Sequence, residues 1–273
     1  MSVCWSQLRT RHRDEPRFAV IGYGKLGGKE LGYASDLDII FLFDDEDERA
    51  PENYAKLALR CNRWLTANTS SGTLFETDLQ LRPSGASGLL VSSIAAFEEY
   101  QEHAAWLWEH QALTRARYCA GYKAVGDAFE AIRIRILTRR RDAEKLSKEV
   151  LAMREKLHVA HPNTSGLFDL KHDRGGMIDI EFAVQFLVLA HSHRHPELTG
   201  NLGNIALLRI SSELGLIPAA LAEACRNAYR EFRRLQHGLR LNGARYARVP
   251  HEQVLAHSRA VQALWQSVFP APR

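Results

Sequence analysis

Apolar positions follow one pattern near the N-terminus of this chain and another beyond it. Phe18-Ala19-Val20-Ile21 and Ile39-Ile40-Phe41-Leu42-Phe43 are contiguous β-branched and aromatic runs of strand length, so they predict two buried strands. Between Pro51 and about Thr69, Tyr54, Leu57, Ala58, Cys61, Trp64 and Leu65 recur at three- and four-residue spacing, which predicts a helix with one apolar face. Ser70-Ser71-Gly72 ends it. Thr73 to Pro83 then alternates, predicting a half-buried strand with Leu79 and Leu81 on one side and Glu76, Asp78 and Gln80 on the other. From Pro83 the pattern turns helical: Ser92-Ser93 to about Tyr100, Ala104 to Cys119, Tyr122 to Leu137, Ala143 to Ala160, Gly175-Gly176 to about His191, and the stripe Leu221, Cys225, Ala228, Phe232, Leu235 and Leu239. The expectation is an α+β chain with a strand-bearing domain over 18–121, an all-α bundle over 122–273, and an N-terminal extension over 1–17.

At 273 residues and 45% hydrophobic, the chain is long enough for one large or two modest cores. Its formal charge of +4 suits a polyphosphate or an acidic partner and falls short of a nucleic-acid binder. The 4 cysteines stand singly with no C-x-x-C spacing, which indicates neither a disulfide framework nor a zinc knuckle and fits a reducing, cytoplasmic setting. No apolar stretch reaches the roughly 18 residues of a membrane span, and residues before Phe18 lack the apolar core of a secretory signal. The charged stretch ahead of the first strand fits either a complete small protein or a piece of a larger one.

The candidate chemistry lies in Gly22-Tyr23-Gly24-Lys25-Leu26-Gly27-Gly28 and the Ser35-Asp36-Leu37-Asp38 that follows. Side chains two apart on a strand share a face, and about 3.3 Å of rise per residue sets the Asp36 and Asp38 Cα atoms roughly 7 Å apart. That spacing lets both carboxylates converge on a pair of cations about 4 Å apart, as phosphoryl transfer requires. Aspartate is disfavoured in strands and adjacent like charges repel, so a bound cation is the natural compensation. Gly24, Gly27 and Gly28 allow close backbone approach to an anion, with Lys25 adding charge. The loop is neither a Walker A motif nor a dinucleotide fingerprint. Asp78 offers a third carboxylate on a strand able to lie beside the first two, with Glu76 its competitor. Arg82 suits a phosphate contact or an ion pair equally.

Other charged clusters carry plainer readings. Asp44 to Glu48 reads as a solvated acidic loop, and Arg139-Arg140-Arg141 as an exposed linker. His191, His193 and His195 have poor spacing for a zinc site. Lys171 and Arg174 precede a helix start, where anions are favoured, while Asp179 and Glu181 in its first turns are explained by the helix dipole as well as by function.

Three motifs in order, Gly22 to Asp38, Thr77-Asp78-Leu79-Gln80-Leu81-Arg82-Pro83-Ser84-Gly85-Ala86-Ser87-Gly88, and Phe168-Asp169-Leu170-Lys171 running to Ile180-Glu181-Phe182, resemble the glutamine synthetase adenylyltransferase family from Phe18 onward. Members carry two similar nucleotidyltransferase halves; this chain carries one, and its 81–88 and 108–113 segments look more like the C-terminal, adenylylating half. The resemblance implies a polymerase-β-like nucleotidyltransferase core followed by a helical bundle. It implies transfer of AMP from ATP to a tyrosine of glutamine synthetase, with phosphorolytic removal of AMP as the alternative. On this mapping Asp36 and Asp38 hold two Mg²⁺ ions, or Mn²⁺, and Asp78 completes the site and orients or deprotonates the tyrosine. The backbone around Gly24, Gly27 and Gly28, with Lys25 and Ser35, seats the triphosphate, and Lys171 and Arg174 are candidates to close over the nucleotide. A PII-type signalling protein is a further expected partner, acting through the longer two-headed enzyme; nucleic acid and membrane are not expected partners.

Overall fold

A computed structural model describes residues 1–33, 35–200 and 203–270. The chain divides into two compact units, the boundary falling after Ile136.

The first unit is α+β. In chain order it contains α1 (Ser2–Ser6), β1 (Phe18–Gly22), α2 (Gly24–Gly27), β2 (Leu37–Phe43), α3 (Ala50–Thr66), β3 (Asn68–Thr69), β4 (Gly72–Thr73), β5 (Thr77–Asp78), β6 (Val91–Ser93), α4 (Ile94–His103), α5 (Leu107–Leu113), β7 (Arg117–Gly121) and α6 (Lys123–Leu137). The main sheet runs β5-β2-β1-β7. β1 pairs antiparallel with both β2 and β7, while β2 pairs in parallel with β5 near its start and β6 near its end. Ile39 to Phe43 are all buried because both faces of β2 are covered, which is why this strand reads as a continuous apolar run. One face, through Phe18, Ile39, Phe41 and Phe43, packs with Tyr54, Leu57 and Ala58 of α3. Ala19, Ile21, Ile40 and Leu42 alternate to the other face and are equally buried.

Three local expectations change. Residues 104–119 do not form one helix: α5 ends at Leu113, and Arg117 to Gly121 form β7, whose edge-to-edge pairing with β1 outweighs helix propensity. The strand expected over 73–83 shrinks to β5, because the Arg82 guanidinium gathers the carbonyls of Leu79, Ala86 and Gly88 and turns the chain away from the sheet. The expected boundary before Tyr122 moves to Ile136, since α6 packs into the first unit: Phe129 meets Phe97 of α4 at 5.7 Å, and the Tyr118 N–H donates to Glu130.

The segment before Phe18 is part of this core rather than an extension. Cys4 and Trp5 are each 2% exposed, and the Trp5 indole stacks on Tyr54 while its N–H donates to the carbonyls of Arg13 and Asp14. Asp45, expected to be solvated, is the buried anchor of this packing. Its carboxylate accepts from Tyr54 Oη at 2.6 Å and from Arg13 at 2.6 Å, and His12 Nε2 lies 2.9 Å away. Asn53 Nδ2 donates to His12 Nδ1, which leaves the ring proton on Nε2, facing Asp45. An isolated buried charge is prohibitive; this one is met by hydrogen bonds on both oxygens.

The second unit is nearly all helix: α7 (Ala143–Ala160), β8 (Phe168–Asp169), α8 (Met177–His191), α9 (Asn204–Glu213), α10 (Ala219–Leu241), β9 (Arg248–Val249) and α11 (His251–Val268). α8 is buried nearly all round, with α7, α9, α10 and α11 packed against it, so its sequence is apolar on every face. Phe168 pairs with Val249 in the small β8–β9 ribbon, and Asp169 with Arg248. Among the described residues no helix is long and apolar enough to cross a membrane.

Asp45→Ala is expected to destabilise the first unit by about 3–5 kcal/mol, the usual cost of orphaning one side of a buried charged network. Burial raises the Asp45 carboxyl, but the bonds from Tyr54, His12 and the Asp47 N–H, with the Arg13 charge, outweigh it and leave its pKa below the ordinary value. Its contribution is therefore complete above the unfolded-state pKa, about 4, and is lost as pH falls through the lowered folded value. Urea unfolding from pH 7 down to pH 2 should show a loss of stability below about pH 4 that the mutant lacks.

Candidate active site

The site forms where β2 and β5 run in parallel. Asp38 in β2 sits in register with Asp78 in β5, and Asp36 immediately precedes β2. The register is pinned by the Leu37 N–H, which donates to the Glu76 carbonyl at 2.8 Å. Asp36, Asp38 and Asp78 each bring a carboxylate oxygen within 4.8 Å of the others. Among the described residues they form the one group of three or more His, Cys, Asp or Glu side chains so placed. Asp36 is exposed, while Asp38 and Asp78 are half-buried. Glu76 is exposed and contributes its backbone carbonyl to the register instead.

Burial, then the charges of Asp36 and Asp78, push the Asp38 carboxyl up to about 6, partly offset by Lys25 and Arg115. Negative charge concentrated against one half-buried carboxylate is the electrostatic condition that a divalent cation relieves.

The glycine loop is shaped around Asp38. Gly24 has φ +52°, and a Cβ there would lie 2.2 Å from Asp38 Oδ2, so any side chain both strains the backbone and strikes the carboxylate. The Tyr23 N–H donates to the Asp38 carbonyl at 2.8 Å, tying the loop to β2. Gly27 and Gly28 close the short α2 turn by donating to the carbonyls of Tyr23 and Gly24, and a Cβ on Gly27 would overlap the Arg115 carbonyl at 1.8 Å. Lys25 stands in α2. Ser35 closes the turn into Asp36, its N–H donating to the Gly32 carbonyl and its hydroxyl accepting from the Gly32 N–H.

Two arginines underpin this loop, and the sequence pattern misplaced both on a helix. Arg115, 5% exposed, pairs with Glu30 at 2.8 Å. Arg117 donates from Nε to the Gly27 carbonyl and from Nη2 to that of Leu26, holding the end of α2. The local signal was weak: a short stretch with Tyr118 and Cys119, closed by Gly121. Arg82 is committed to the carbonyls of its own loop, where it shapes the chain leading away from Asp78. Lys171 and Arg174 belong to the second unit, Lys171 exposed and Arg174 paired with Glu155 at 2.7 Å. Asp179 there is buried against Arg154, and Glu181 accepts from Tyr229 Oη at 3.1 Å. Both acids thus have structural partners.

Residues 2–132 match the family model of glutamate-ammonia ligase adenylyltransferase, and residues 137–264 match that of GlnD PII-uridylyltransferase. The chain is 60% identical over 98% of its length to the bifunctional glutamine synthetase adenylyltransferase/adenylyl-removing enzyme of Aromatoleum aromaticum. It is 59% identical over 99% of its length to the Burkholderia mallei enzyme of the same name, and 53% identical over 98% to that of Nitrosomonas europaea. The chain belongs to the glutamine synthetase adenylyltransferase family. It spans 29–30% of the length of these relatives. In this adenylyltransferase-family chain the two family matches meet between residues 132 and 137, where the two structural units also divide.

Asp38 sets a pH dependence. Its folded pKa lies above the unfolded value, so the folded state holds the extra proton between about pH 4 and 6, and stability falls as pH rises through that window. In cation-free buffer at pH 7.5, Asp38→Asn should be more stable than the parent by on the order of 1 kcal/mol, allowing for solvent screening. Thermal unfolding with and without Mg²⁺ checks this: added Mg²⁺ should stabilise the parent and not the mutant, and its effect should fade below about pH 6.

Proposed function

We propose that the chain is the C-terminal, adenylylating half of the longer bifunctional enzyme, transferring AMP from ATP to a tyrosine hydroxyl of glutamine synthetase on a polymerase-β-like core. The observation that carries this reading is the convergence of Asp36, Asp38 and Asp78 beside the Gly24 turn, in a chain of this family. Three hard oxygen donors within 4.8 Å, one of them with a raised pKa, fit Mg²⁺ or Mn²⁺. Asp36 and Asp38 would hold the ions and Asp78 would complete the set. Bound there, the ions would neutralise phosphate charge and make the α-phosphorus more electrophilic.

The chain's own groups supply the rest. The Gly24–Gly28 turn, with Lys25 and Ser35, receives the triphosphate, and the missing side chain at Gly24 makes room for the Asp38 carboxylate against the loop. Asp78 is held by the Gln80 N–H, which donates to its Oδ1 at 2.8 Å, so the carboxylate is oriented before substrate arrives. It takes the proton as the tyrosine oxygen bonds to the α-phosphorus and the bond to the bridging oxygen of pyrophosphate breaks. A PII-type signalling protein would act through the parts of the longer enzyme that this chain does not span.

The test incubates the purified chain with α-labelled ATP, Mg²⁺ and glutamine synthetase, beside an Asp36→Asn/Asp38→Asn control. Label should appear on the synthetase with the parent and fall by at least about a hundredfold in the control. Gly24→Ala should abolish labelling while leaving the unfolding midpoint of the second unit unchanged. Label that persists in the control would overturn the carboxylate assignment; phosphate-dependent release of AMP from adenylylated synthetase, without forward labelling, would make this the removing half.

A further inference from the structure

Within the second unit, α7, α8 and α11 enclose a cavity of about 330 Å³ that the proposed transfer does not use. Arg154, 5% exposed, lines it. Two arms of this guanidinium are satisfied: Nε donates to Asp179 Oδ1 at 2.5 Å and Nη2 to the His172 carbonyl at 2.8 Å. The third, Nη1, is buried without a hydrogen-bond partner among the described residues, as is Nδ1 of His158, one turn further along α7. A buried N–H of a charged group left unmet costs on the order of 1–3 kcal/mol, so this corner is the place where an incoming acceptor gains most. Gln262, Trp265 and Gln266 of α11 also line the cavity, two amides one turn apart with an indole between them in sequence.

We propose that this cavity is a binding site for a small organic monocarboxylate. One carboxylate oxygen accepts from Arg154 Nη1, and the body of the ligand lies along Trp265 with any polar end meeting the Gln262 and Gln266 amides. The charge balance selects a monoanion over phosphate. Arg154 is already neutralised by Asp179, and the other cation at the cavity, Arg174, by Glu155, so a dianion would enter against two carboxylates with no uncompensated positive charge. A single unmet N–H on a charged donor is matched by one carboxylate oxygen at hydrogen-bond distance. The Arg154–Asp179 pair also fixes the guanidinium plane, and the Gly175 N–H donating to Asp179 Oδ2 at 2.6 Å fixes that acid, so the site is pre-organised.

The test titrates the full chain with linear monocarboxylates from acetate to hexanoate, their matched primary amides and inorganic phosphate, by isothermal calorimetry and by the fluorescence of Trp265 against a Trp265→Phe control. Saturable binding of at least one carboxylate, at least about tenfold tighter than its amide, is expected. It should weaken by about tenfold or more in Arg154→Lys, which keeps the charge beside Asp179 and removes Nη1, and measurably in Gln262→Leu, an exposed position whose change leaves the fold intact. Phosphate binding tighter than every carboxylate, equal binding of acid and amide, unchanged binding in both variants, or no saturable binding up to about 50 mM would each overturn the assignment.

Discussion

Mutual repulsion among Asp36, Asp38 and Asp78 is the constraint around which the first unit is arranged. Three acidic groups within 4.8 Å cannot be held by their own interactions, so the surrounding fold holds them. The parallel register of β2 and β5 sets two of them side by side, the Tyr23 and Leu37 N–H bonds lock the backbone on either side, and the Glu30–Arg115 pair supports the loop beneath. The strain is concentrated at these carboxylates: the Asp38 carboxyl is pushed up to about 6, and Gly24 occupies a backbone conformation with room for no side chain.

The support reaches well beyond the site. β2 is covered on both faces, and one of those covers, α3, is fixed by a buried polar cluster in which Asp45 joins Tyr54, Arg13 and His12. Residues before Phe18 thereby take part in holding the strand that carries Asp38. In the second unit a different buried ion pair, Arg154–Asp179, ties α7 to α8, the helix that all the others pack against. In both units a single aspartate, met by an arginine and by backbone or side-chain donors, organises the packing of apolar helices around it.

Much of this was legible from the residues. The buried strands at Phe18 and Ile39, the helix opened by Pro51, the Ser93 cap, and the helices 143–160 and 177–191 follow from local periodicity and capping, and the structure has them within a few residues. So does the placing of Asp36 beside Asp38, because alternation along an extended chain is a local property, whereas Asp78 joins them only through the parallel register of β5 with β2. What was illegible depended on distant partners. Arg115 and Arg117 read as helical until β1 supplied an edge for β7, and Asp45 read as solvated until Tyr54, 9 residues on, and His12, 33 residues before, closed over it.

The elements and the residue types of the chemistry are written locally in the chain, since strand alternation, helix spacing and glycine positions act within a few residues. Folding alone settles which acid is buried and which is wet, which arginine supports the glycine loop and which staples its own turn, and where a buried donor is left without an acceptor. Those outcomes turn on desolvation and on hydrogen bonds between residues tens of positions apart, and neither quantity exists until the chain has folded.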